Sequence, residues 1–183
     1  VDKSESKARG KQPGQVIASI VKSQWKMNSE YLEAAERGDL QTVVTLLKSG
    51  ANILCKTHYR DSALHRAARR GHDELVKALL DQGLDVNTWG QRDKTPLMHA
   101  VFHGHNNTFN ILIEAGADIT CIDNSGHNAL HLAALGGRDT IVKILLDQGL
   151  DVNSRHSRDK TPIMVAAERA QGATVKLLLD RGA

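Results

Sequence analysis

The sequence predicts an all-α solenoid: short helix-turn-helix units joined by β-turn fingers and preceded by a short N-terminal helix. Three observations carry that fold class. Gly50, Gly83, Gly116, Gly149 and Gly182 recur every 33 residues without insertion, as do Ala34, Ala67, Ala100, Ala133 and Ala166, and Leu47, Leu80, Ile113, Leu146 and Leu179. A period of this size is the signature of a repeat array. Each unit also carries an apolar stripe at helical spacing, such as Leu75, Val76, Leu79 and Leu80, and the units are separated by polar, turn-forming segments such as 84–94.

Taken in order, residues 1–15 read as a basic, flexible leader. Residues 1–28 hold Lys3, Lys7, Arg9, Lys11, Lys22 and Lys26 against Asp2 and Glu5, a balance of +4 in a chain of net +3, so the remainder carries -1. Pro13-Gly14 signals a turn. Val16, Ile17, Ile20, Val21 and Trp25 then share one helical side, which predicts a helix over 16–28 that caps the apolar end of the array; docking of that helix in a partner's groove is the alternative. The array follows over 29–183, in units of approximately 29–56, 57–89, 90–122, 123–155 and 156–183. Within a unit, Thr95-Pro96-Leu97 opens a first helix, since Thr caps and Pro is tolerated in the first turn. Small residues such as Ala133-Ala134 allow close packing, and Gly71, Gly104 or Gly137 ends the helix. The second helix carries the stripe and stops at a Gly such as Gly83, which suits a left-handed C-cap.

Composition narrows the function classes. Aromatic residues make up 3% of the 183-residue chain, too few for the stacking platforms of single-strand nucleic-acid binders or for interfacial belts. No apolar run approaches the roughly 18 residues of a membrane span. Two cysteines and no secretory signal favour a reducing setting, cytoplasmic or nuclear. The chain begins without Met and stops at Gly182-Ala183 in mid-motif, which predicts a piece of a longer protein whose array continues past Ala183.

The segments Ala129-Leu130-His131-Leu132-Ala133-Ala134, Thr95-Pro96-Leu97 and Gly83-Leu84-Asp85-Val86-Asn87 resemble the ankyrin repeat, and the resemblance spans 29–183. The first unit has Ser29-Glu30-Tyr31-Leu32 in place of the Thr-Pro-Leu element. Units two and four lack its Pro, reading Ser62-Ala63-Leu64-His65 and Asn128-Ala129-Leu130-His131. Units three and five put Met98 and Met164 where the family has His, and unit five has Ala170 in place of the helix-ending Gly. A second periodicity lies above the first: 79–98 reads LLDQGLDVNTWGQRDKTPLM and 145–164 reads LLDQGLDVNSRHSRDKTPIM, so units two-three and four-five look like a duplicated pair.

Catalytic signatures are missing: the chain has no phosphate loop, nucleophile elbow or paired-acid motif, and no cofactor is expected. His99 and His103 stand at i and i+4 with His105 beyond, but a metal site needs further fixed ligands, so no metal is expected. His65 and His131 read as turn residues bonding within their own unit. Cys55 and Cys121, equivalent positions two units apart, lie beyond disulfide reach.

The resemblance implies partner docking on the finger tips and the exposed side of the first helices. Carried onto this chain, those positions are Tyr59, Arg66, Arg69, Arg70, Arg92, Lys94, His99, Phe102, His103, Leu132, Leu135, Arg158, Lys160 and Arg169. An apolar middle flanked by arginines predicts a protein or peptide partner with acidic and apolar residues. The resemblance also makes Asn87 and Asn153 candidates for asparaginyl hydroxylation. The expected function is a non-catalytic interaction scaffold. A regulatory or targeting module of a larger enzyme, receptor or signalling protein is the alternative, and nucleic-acid or lipid contact through the basic leader is the weaker one.

Overall fold

The computed structural model describes residues 13–183, and among them there are ten α-helices and no strand. After α1 (Pro13–Arg37) and α2 (Leu40–Lys48) come four further pairs: α3 (Ala63–Arg70) with α4 (Asp73–Asp81), α5 (Pro96–His103) with α6 (Asn106–Glu114), α7 (Ala129–Gly136) with α8 (Asp139–Asp147), and α9 (Pro162–Glu168) with α10 (Gly172–Asp180). The first helices pack in sequence, α1 on α3, α3 on α5, α5 on α7 and α7 on α9, and each packs on its own second helix. The core runs between these layers as a continuous seam of buried residues: Tyr31, Leu64, Leu97 and Leu130 from the first helices, and Val43, Leu79, Leu112 and Leu145 from the second.

Local chemistry explains each start and stop. Thr95 Oγ1 accepts from the Met98 backbone N–H at 3.3 Å with Pro96 in the first turn, and Asn128 Oδ1 accepts from His131 N–H at 3.0 Å. Gly71 ends α3 with φ +72, and a Cβ there would lie 2.6 Å from His105 Nδ1, so both backbone and packing require glycine. Ala170, the equivalent residue of unit five, adopts φ +54 all the same.

Units are latched to one another by repeated hydrogen bonds, and the 66-residue duplication is visible in them. Buried Thr108 donates to Asp73 Oδ1 at 2.5 Å, and buried Thr174 does the same to Asp139 Oδ1 at 2.5 Å. His65 Nε2 lies 3.1 Å from the Lys94 carbonyl, and His131 Nε2 lies 3.1 Å from the Lys160 carbonyl. Both histidines also bond their own helix start through Nδ1, to Ser62 and Asn128. The expected bond within their own unit is therefore present, together with a second to the following finger.

The N-terminal expectations need correction. The flexible leader over 1–15 falls outside the described residues as far as Gln12, and its last three residues already belong to α1. The helix over 16–28 is not a separate cap: it is the first half of α1, which runs 25 residues without interruption. Nothing between Gly14 and Gly38 breaks a helix, so the segment has no turn at which to fold back over the first unit. Its apolar stripe is consequently uncovered, with Ile17 at 62%, Ile20 at 60%, Val21 at 61% and Trp25 at 75% exposure.

Candidate functional site

The angle between the fingers and the first helices forms a groove with three hollows. The central one, about 430 Å³, lies between α5 and α7 and is walled by Phe102, Leu135 and the finger residues Gln91, Arg92 and Ser125. His99 and Leu132 line it from below. The hollow beside α1, about 280 Å³, is lined by Trp25, Leu32, Lys56, His58 and Arg66. The third, beside α9, is lined by Leu135, His156, Arg158, Val165 and Arg169.

Several side chains expected on the surface are committed to internal bonds. Arg69 pairs with Asp61, whose carboxylate is 5% exposed and also accepts the Gln91 backbone N–H at 2.8 Å. Arg66 and Arg70 share one carboxylate, Glu36, at 3.4 and 2.7 Å, leaving a net positive charge. Lys94 donates to Asp123 Oδ2 at 2.8 Å, and Lys160 pairs with Glu168. Arg69 is thus corrected as a free carboxylate clamp, since Asp61 of its own finger takes it; Glu36, on the helix one unit earlier, is shared by Arg66 and Arg70, which leaves Arg66 Nε without a partner among the described residues and the Arg70 side chain 59% exposed. His99 and Leu132 are corrected likewise: both are buried, and they form floor rather than rim.

The rest of the expected set is accessible. Phe102 is 38% exposed with the His103 ring edge-on at 5.1 Å, Leu135 is half-buried, and Tyr59 is exposed beside His58. Arg92, Arg158 and Arg169 are exposed and form no ion pair with any described residue. Among the described residues Lys56 donates only to the Thr88 hydroxyl and the Trp89 carbonyl, and no carboxylate there neutralises its charge.

The groove's electrostatics follow from burial. Burial lowers His99 to about 3, with the Arg69 guanidinium adding to the effect, and burial lowers His65 to about 4. Arg69 Nε donates to His99 Nδ1 at 3.5 Å, so neutral His99 carries its proton on Nε2. Asp123 is held well below the usual carboxylate range by hydrogen bonds from His127 and Lys94, which outweigh its burial. His127, His131 and His156 cluster with ring centroids 4.6 to 5.9 Å apart, a grouping that sequence spacing alone did not reveal.

Among the described residues, no group of three or more His, Cys, Asp or Glu side chains is placed to hold a metal ion, and no helix is long and apolar enough to cross a membrane. Cys55 and Cys121 are free thiols, both half-buried. Asn87 bonds across to the next unit: its Oδ1 accepts from Asp118 N–H at 2.8 Å and its Nδ2 donates to the Gly116 carbonyl at 3.4 Å. Asn153 Nδ2 donates to the Gly182 carbonyl at 3.3 Å.

Two-layered helical units, inter-unit latches and a finger-lined groove define a helical repeat scaffold. A family model described as ankyrin repeats (3 copies) matches residues 32–123 and 111–183, and the chain belongs to the ankyrin repeat family. No curated protein matches the chain. Ankyrin repeats are in general protein-protein interaction modules and typically non-catalytic.

Proposed function

We propose that the chain is a non-catalytic scaffold that binds a partner protein or peptide along the groove between its fingers and first helices. The observation that carries this reading is the central hollow, where apolar Phe102 and Leu135 stand beside the unpaired guanidinium of Arg92. Apolar anchors in a recess supply dissociation energy, and unpaired rim cations supply complementarity to acids. The partner is accordingly an acidic segment bearing apolar side chains. The same observation separates this reading from nucleic-acid contact through the leader, since the groove's apolar walls have no role in phosphate binding.

A library of displayed 12-residue peptides, selected on the full chain, tests the reading. Phe102→Ala and Leu135→Ala should each weaken the selected peptides at least tenfold, whereas Lys77→Ala, on the second-helix layer, should not. Equal affinity for all four proteins would overturn it.

A further inference from the structure

The groove floor has its own 33-residue register. Arg66, His99, Leu132 and Val165 are equivalent residues of successive units, and each lines one or more of the three hollows. The first two carry buried nitrogens with no hydrogen-bond partner among the described residues, Arg66 Nε and His99 Nε2. The last two are apolar and buried. The floor therefore changes along the array from orphaned donors to hydrocarbon.

We propose that these four positions read a partner segment in order, with Arg66 and His99 each taking a carboxylate and Leu132 and Val165 each taking an apolar side chain. The assignment rests on the groove reading above and specifies the chemistry of its occupant. An unpaired buried donor is costly, and an anionic acceptor is its strongest partner. His99 lines the central hollow while its residue is 7% exposed, and neutral imidazole with Nδ1 already accepting from Arg69 can only donate through Nε2. In the hollow beside α1, Arg66 and Arg70 have one carboxylate between them and Lys56 has none; the lining acid, Glu33, lies 4.0 Å from Arg37. In the central hollow the lining acid, Asp123, is met by Lys94 and Arg92 has no acidic partner among the described residues, so both donor hollows favour an anion.

Spacing sets the occupant's conformation. Packed helices lie about 8–10 Å apart, so floor positions step by about that distance per unit. A polyproline II segment has three residues per turn and a rise of about 3.1 Å, returning a side chain to the same face every 9 Å or so. The segment then presents acidic side chains at i and i+3 and apolar ones at i+6 and i+9, in whichever chain direction runs from α3 to α9.

The test compares the 12-residue peptides selected by the wild type with those selected by His99→Leu, which places at unit three the residue found at unit four. The wild type should recover two acidic positions three apart, followed at the same interval by apolar positions. His99→Leu should replace one acid by an apolar residue, and its best peptide should bind the wild type at least tenfold more weakly. If circular dichroism shows that His99→Leu does not fold, Arg66→Leu makes the equivalent exchange one unit earlier, and His99→Gln, which keeps a donor, should keep the acid. Peptides that need Phe102 but show the same composition for the wild type and the Leu variant overturn this assignment and leave the groove reading standing. Absence of any Phe102-dependent peptide overturns both.

Discussion

Arg66 and His99 stand 33 residues apart at equivalent places on α3 and α5, and each leaves one buried nitrogen without a partner among the described residues. Their neighbours one and two units on, Leu132 and Val165, bury hydrocarbon instead. The array's regular backbone thus presents an irregular floor, and this irregularity carries the specificity argued above.

The internal ion pairs divide the arginines into two groups with different mutational behaviour. Arg69 neutralises buried Asp61, so Arg69→Glu sets two carboxylates against each other. Breaking a buried pair costs about 3–5 kcal/mol, and since the Arg69 side chain is 26% exposed the loss should be nearer about 2–3 kcal/mol. Arg92→Ala and Arg158→Ala should leave stability within about 0.5 kcal/mol and slow association with acidic peptides. Urea unfolding of the three variants checks the division; equal stabilities would contradict the Asp61 pairing.

Stability should depend on pH through the buried histidines. His65 and His99 are lowered to about 4 and about 3 in the folded chain, below the ordinary value of about 6.5. The unfolded chain therefore binds more protons as pH falls below about 6.5, and the stability present above that pH drains away towards the folded values. Each histidine steepens the fall by up to about 1.4 kcal/mol per pH unit. His99→Leu should remove up to one proton's worth of slope in urea melts between pH 7 and pH 5. An unchanged slope would show that His99 is not held neutral.

Much of this architecture is legible in the chain. The 33-residue register fixes unit length, Thr95-Pro96 announces a helix start, and the stripe of Leu75, Val76, Leu79 and Leu80 identifies the second helix. Phe102 and Leu135 were also readable, because the ankyrin resemblance puts those positions on the groove side. What the sequence hid depends on stacking. Glu36 meets Arg66 and Arg70, 30 and 34 residues further on, only because α1 and α3 lie side by side. The same stacking buries His99, which the ankyrin resemblance had placed on the exposed side of its helix. The separate cap over 16–28 failed for a different reason: an amphipathic stripe says that a helix has an apolar side, not that anything covers it.

Ala170 tests the reading of the helix ends. It holds φ +54, a left-handed conformation that costs a residue with a Cβ about 1–2 kcal/mol and glycine almost nothing. Ala170 is exposed, so no packing is lost when its methyl is removed. Ala170→Gly should raise stability by about 1 kcal/mol in urea melts, while Gly71→Ala, where His105 fills the space, should lower it. Destabilisation by Ala170→Gly would contradict the assigned backbone geometry.

The groove is tested most directly by methyl NMR of the full chain, labelled at leucine and valine and titrated with a selected peptide. Binding in the groove predicts saturable shifts at Leu132, Leu135 and Val165, with Val43, Leu79 and Leu145 of the second-helix layer unmoved. Shifts at Val16 and Val21 of α1 or at Leu179, with the three groove residues silent, would contradict the account.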